Sequence, residues 1–170
     1  MLKILNNYIM NQYISLNYKY KFNIHLVLIG ARDAYLFDDS TKKYILLIIK
    51  LNYPELKYTP ECGQRPTSCS TYIHIKDLPE LKSDEDIGKV LGYTCPTNDF
   101  FPKKDRTRHH IKYYSNNIRF MSEVCTEWND EIKEKLETKI ATWNSIIDTD
   151  FGQITYNIKR CDDSSFACHK

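Results

Sequence analysis

The feature that most constrains this chain is a stripe near its C-terminal end. Trp128, Ile132, Leu136, Ile140, Trp143 and Ile147 recur at steps of three and four, which places them on one face of an α-helix. Thr126 stands where it can cap the first turn. On the wet side Glu131 and Lys135 make an attractive i,i+4 pair, while Asp130 and Glu134 repel. A helix with one apolar face must bury it against another layer, and a row holding two tryptophans reads as core rather than as a cofactor cradle.

The preceding segments supply strands for that layer. From Tyr18 the period is two, with Tyr18, Tyr20, Phe22, Ile24, Leu26 and Leu28 set against Lys19, Lys21, Asn23 and His25; this predicts a strand that ends at Gly30. Residues 31–37 and 43–50 flank Asp38-Asp39-Ser40-Thr41-Lys42, a turn-forming cluster, and predict a hairpin. Its second strand is apolar on both faces and so belongs at the centre of a sheet. Residues 71–76 read as a short strand, 109–114 and 118–125 as a second hairpin across Ser115-Asn116-Asn117, and 153–160 as a last strand.

Leu2, Leu5, Ile9, Tyr13 and Leu16 predict an amphipathic N-terminal helix, and Ser83, placed to cap the amide of Asp86, opens a short middle helix that Gly92 can close. The proline-bearing stretch 52–70 and residues 94–108 read as loops. The order of elements favours an α+β fold, a mainly antiparallel mixed sheet packed by the N-terminal helix, the short middle helix and the long C-terminal helix. With 170 residues, one domain over 1–160 and a polar tail over 161–170 are expected.

A formal charge of +2 gives no strong overall field, so contact with nucleic acid requires a local patch. No apolar run approaches the ~20 residues of a membrane-spanning helix, and Asn6, Asn7, Asn11 and Gln12 interrupt any export signal. A cytoplasmic protein with no membrane association is expected, its six cysteines reduced. Under export, Cys62–Cys69 and Cys161–Cys168 are the pairs to test first.

The strongest local charge feature runs through Lys103, Lys104, Arg106, Arg108, His109, His110, Lys112, Tyr113 and Tyr114. Cations that neutralise phosphates lead there into aromatics that stack on bases; a solvated loop entering an edge strand has the same composition. Adjacent histidines on a strand face opposite ways, so at most one of His109 and His110 can enter a shared site. Zinc could be offered Cys62, Cys69, His74, Cys95, Cys161, Cys168 and His169, but the local pairs are six residues apart, not two to four, and no metal or other cofactor is expected. Asp33, Asp38, Asp39, Glu55 and Lys57 resemble the carboxylates and lysine of magnesium-dependent nucleases, except that Pro54 interrupts the strand such a site needs. No Gly-rich phosphate loop, Gly-x-Ser-x-Gly elbow or His-Glu-x-x-His helix is present.

The segments IHLVLIGARDAYLFDD (24–39) and DIGKVLGYTCP (86–96), in an Asn/Ile/Lys/Tyr-rich background, resemble uncharacterised proteins of large DNA viruses of the mimivirus kind. That resemblance implies an accessory protein acting in host cytoplasm, and transfers no catalytic residue. Two readings stand. One is a non-enzymatic interaction module with a protein partner, since long loops carry recognition; the other is a protein that binds or processes nucleic acid through 103–114.

Overall fold

The computed structural model describes residues 17–38, 43–60, 70–95, 108–126 and 128–161. The expected N-terminal helix over 2–16 lies outside these residues. The chain divides into two compact units, Met1–Leu78 and Pro79–Lys170. Each is α+β with antiparallel pairing, so the strands form two sheets of three where one sheet is expected.

In the first unit α1 (Tyr18–Leu28), β1 (Ala34–Asp38), α2 (Lys43–Asn52), β2 (Lys57–Pro60) and β3 (Ser70–His74) follow in order. The sheet runs β1-β3-β2, with Ala34 and Lys57 both opposite His74. Tyr20, Ile24 and Val27 of α1, Phe37 of β1, Leu46 and Ile49 of α2, Leu56 and Ile73 form its core.

Two expected strands are helices. Residues 18–28 form α1 because Asn17 caps it, its Oδ1 accepting from the Lys19 amide at 3.1 Å. At the other end Gly30 takes φ +72°, and the amides of Ile29, Gly30 and Ala31 return to the carbonyls of His25, Val27 and Leu26. Residues 22–27 are all buried, so α1 is enclosed on every side and shows no one-faced stripe. The apolar run 43–50 belongs to α2, which continues to Asn52, whose side chain donates to the Ile48 carbonyl at 2.8 Å. Pro54 then disfavours further helix. Within 52–70, expected to be loop, lies β2; it is an edge strand, the place in a sheet where a proline such as Pro60 is tolerated.

The second unit contains α3 (Asp84–Val90), β4 (Arg108–Ser115), β5 (Ile118–Cys125), α4 (Asp130–Ile146) and β6 (Ile154–Cys161). Ser83 opens α3 with a reciprocal capping box: its Oγ accepts from the Asp86 amide at 3.1 Å, and Asp86 Oδ2 accepts from the Ser83 amide at 3.1 Å. Gly92, φ +72°, closes it as expected. The hairpin β4–β5 turns through Asn116 and Asn117, both at positive φ. The cap of α4 is Asn129, not Thr126; its Oδ1 accepts from the Ile132 amide at 2.9 Å. Ile132, Leu136, Ile140 and Trp143 are the buried row of α4, whereas Trp128 precedes the helix and stacks on His109 at 5.4 Å. β6 takes in Cys161, which the expected tail had claimed.

Candidate nucleic-acid interface

β4 is the central strand of the second sheet, between β5 and β6, and strand alternation divides its residues between two sides. His109, Ile111 and Tyr113 face α4: the Tyr113 ring lies 6.3 Å from that of Trp143, and Lys139 Nζ sits 4.6 Å above it. Arg108, His110, Lys112 and Tyr114 point to the opposite side and are half-buried.

Register carries the pattern to the neighbouring strands, because directly opposed residues share a side. His110 is opposite Lys159, Lys112 opposite Asn157 and Ser122, and Tyr114 opposite Thr155 and Arg119. The outer side therefore presents Arg108, Lys112, Arg119 and Lys159 together with His110 and Tyr114. Glu123 is the one carboxylate in β4, β5 and β6, and it is buried on the α4 side. Arg119 reaches the outer side through a β-bulge, a register shift between Tyr113 and Tyr114 that lets Phe120 and Met121 both turn inward, where they are 3% and 8% exposed.

A charged centre inside the unit anchors this sheet. Glu123 Oε1 accepts from the Tyr113 hydroxyl and faces Lys139 Nζ at 3.5 Å, while Oε2 accepts from the amides of Thr94 at 2.7 Å and Cys95 at 3.3 Å. Lys139 Nζ also donates to Thr94 Oγ1, to the Tyr113 oxygen at 2.8 Å and to the Gly92 carbonyl at 3.1 Å. Burial, and then the charge of Glu123, push the Tyr113 hydroxyl well above its ordinary value. A carboxylate and an ammonium so enclosed are satisfied at every turn, as a buried pair must be to persist. The arrangement fixes the segment after α3 and the helix α4 against the sheet.

Of the residues expected to touch nucleic acid, Arg108, His110, Lys112 and Tyr114 come together on the outer side. His109 and Tyr113 do not, since one stacks on Trp128 and the other is fully buried in the charged centre. Lys103, Lys104 and Arg106 lie outside the described residues. Arg119 and Lys159, which complete the patch, were not identified in the sequence. Their signal is the register of three strands, which local alternation does not contain.

The metal candidates are dispersed. Among the described residues no group of three or more His, Cys, Asp or Glu is placed to hold a metal ion. Cys62 and Cys69 lie outside those residues, Cys95 rests against Cys125, and His74 is held by Thr59 Oγ1 and the Lys76 carbonyl at 2.8 and 2.7 Å. Lys57 pairs with Asp77 at 2.5 Å, and Glu55 is exposed in the turn before β2. Cys161 is disulfide-bonded, its partner outside the described residues, which corrects the expectation that all six cysteines are reduced; Cys95 and Cys125 are thiols.

No helix among the described residues is long and apolar enough to cross a membrane. No family model, no curated protein and no solved structure matches this chain.

Proposed function

We propose that this protein is a binding module for single-stranded nucleic acid, and that the outer side of the second sheet is its contact surface. The observation that carries this reading is the gathering of Arg108, Lys112, Arg119 and Lys159 on one side of three strands whose only carboxylate faces the other way. Arg108, Lys112, Arg119 and Lys159 carry like charges on one side of the sheet, and these repel one another. A polyanion reverses that cost by supplying phosphates and releasing counterions. Tyr114 and His110 add flat rings between the cations, on which unpaired bases can stack. Among the described residues the surface is a sheet side made by β4, β5 and β6, a shape that favours splayed single strands over insertion into a duplex groove.

The test is a fluorescence-anisotropy titration of the full chain with labelled single-stranded and duplex DNA and RNA across a salt series. Four phosphate contacts on a single strand give a log–log slope of about −3. The double variant Lys112→Glu/Lys159→Glu is expected to weaken binding at least tenfold and flatten the slope by about 1.4. The matched charge change Lys133→Glu/Lys135→Glu, on the exposed side of α4, leaves both unchanged. Absence of salt-dependent binding, or equal losses in the two double variants, overturns the reading.

A further inference from the structure

We propose that Cys95 and Cys125 form an oxidisable pair, a thiol–disulfide exchange site that reacts with a small-molecule disulfide and cross-links the segment after α3 to the end of β5. The inference is independent of what the sheet surface binds.

Three placements support it. Cys125 ends β5 in ladder register with His109, and it lies two residues from Glu123 on the same side of the strand. Cys95 ends the segment that leaves α3, and its amide is tied to Glu123 Oε2 at 3.3 Å. Glu123 thus brings together two cysteines that are far apart in sequence, and their thiols are in hydrogen-bonding contact. Both are enclosed, at 2% and 1% exposure. A disulfide at about 2.05 Å requires that two thiols within hydrogen-bonding reach close the remaining gap. Cys161 of β6 is disulfide-bonded, so an oxidised cysteine is already compatible with this fold.

The chemistry balances as an exchange. Cys95, deprotonated, attacks one sulfur of the small disulfide; a mixed disulfide forms, and the departing thiolate takes up the proton that Cys95 lost. Cys125, deprotonated in turn, attacks Cys95 Sγ and expels the second thiol, which takes up its proton. The cysteine pair gives up two electrons and two protons, and one small disulfide becomes two thiols. The hydrogen bond to Cys125, burial and the nearby Glu123 push the Cys95 thiol up and hold it protonated. Exchange therefore waits on opening of the segment after α3, and the pair acts as a slow latch. Once closed, it makes permanent the link that Glu123 otherwise holds through hydrogen bonds.

The experiment uses the full wild-type chain, reduced and then equilibrated with mixtures of reduced and oxidised glutathione. It is quenched in acid, alkylated, digested and mapped by mass spectrometry. The expected result is a peptide joining Cys95 to Cys125 that accumulates as the oxidant fraction rises. It forms faster in mild urea than in buffer, and the urea midpoint of the oxidised protein is higher. In Cys125→Ser the oxidation-dependent rise attributable to this link is lost. Recovery of Cys95 and Cys125 as free thiols under conditions that oxidise Cys161 overturns the proposal, as does their pairing with other cysteines. The mapping needs no variant, so a variant that fails to fold leaves it decisive.

Discussion

The two units are each made of helices and one three-stranded antiparallel sheet, yet they settle their buried polar groups in different ways. In the first, Arg32 is buried and donates to neutral acceptors at α1, the Asn23 carbonyl at 3.0 Å and the Asn23 side chain, with its guanidinium 5.1 Å from the Tyr35 ring. These contacts secure the end of a helix whose cohesion comes from an apolar cluster. In the second, an ion pair between Glu123 and Lys139 occupies the space between sheet and helix, and every neighbouring donor is turned toward it. An apolar cluster tolerates approximate fit, whereas a buried charge is tolerable only while all its partners are present. The second unit is therefore the more exactly specified and the more easily broken at one position.

The largest expected effect follows from that difference. Glu123→Ala leaves the Lys139 ammonium enclosed without its counter-charge and is expected to cost about 3–5 kcal/mol. Both tryptophans, Trp128 and Trp143, lie in the second unit, so urea unfolding followed by their emission reads this loss directly. A cost below about 1 kcal/mol would reduce the charged centre to an ordinary surface pair.

In the first unit the corresponding change is Ile73→Ala, at a fully buried residue of the central strand. The cavity is expected to cost about 3 kcal/mol. Amide hydrogen exchange along β1, β2 and β3 registers it, and a loss below that of an exposed control such as Leu47→Ala would mean that the cluster is not what holds this unit.

The mildest contrast is alkaline. The Tyr113 hydroxyl is held above the ordinary tyrosine value of 10.0, so its contribution is intact below pH 10 and is lost as the pH rises beyond it, by about 1.4 kcal/mol per pH unit. In the first unit Tyr58 is pushed up to about 12, by burial first and then by Glu55, so its contribution fades only between pH 10 and 12. Tryptophan-detected stability should fall as the pH rises above 10 in the wild type and fall less steeply in Tyr113→Phe. Identical alkaline profiles for these two proteins would exclude Tyr113 as the cause.

How far the sequence could be read also differs between the units. Around α3 and the β4–β5 hairpin the chain is punctuated by residues with one conformational purpose: Ser83 with Asp86, Gly92, and Asn116 with Asn117. Those elements were legible. α1 was not, because Tyr18, Tyr20, Phe22, Ile24 and Leu26 alternate with polar residues as a strand does, while Asn23 and His25 are buried too. Burial all round erases the helical period. α2 failed for a related reason, since a short run of apolar residues fits either geometry and Tyr44 and Leu47, at 61% and 58% exposed, do not repay burial. Thr126 and Asn129 are both good caps, and Trp128, four residues before Ile132, extends the apparent stripe beyond the true helix start at Asp130. As for the candidate site, the alternation Arg108, His110, Lys112, Tyr114 could be read locally. Strict alternation from Ser122 would have put Arg119 on the inner side, and only the bulge reverses it.

Strand order gives the two sheets opposite histories at the ribosome. In the first unit the central strand β3 is the last of its sheet to be made, so β1 and β2 wait for a partner that completes both ladders at once. In the second unit the central strand β4 is made first, pairs with β5, and keeps its other edge open while residues 116–153 are synthesised, until β6 arrives. An open edge invites pairing with a neighbouring nascent chain. The cations that β4 carries at Arg108 and Lys112 disfavour pairing with a second copy during that interval, so the residues we propose to meet phosphates also guard the unfinished sheet.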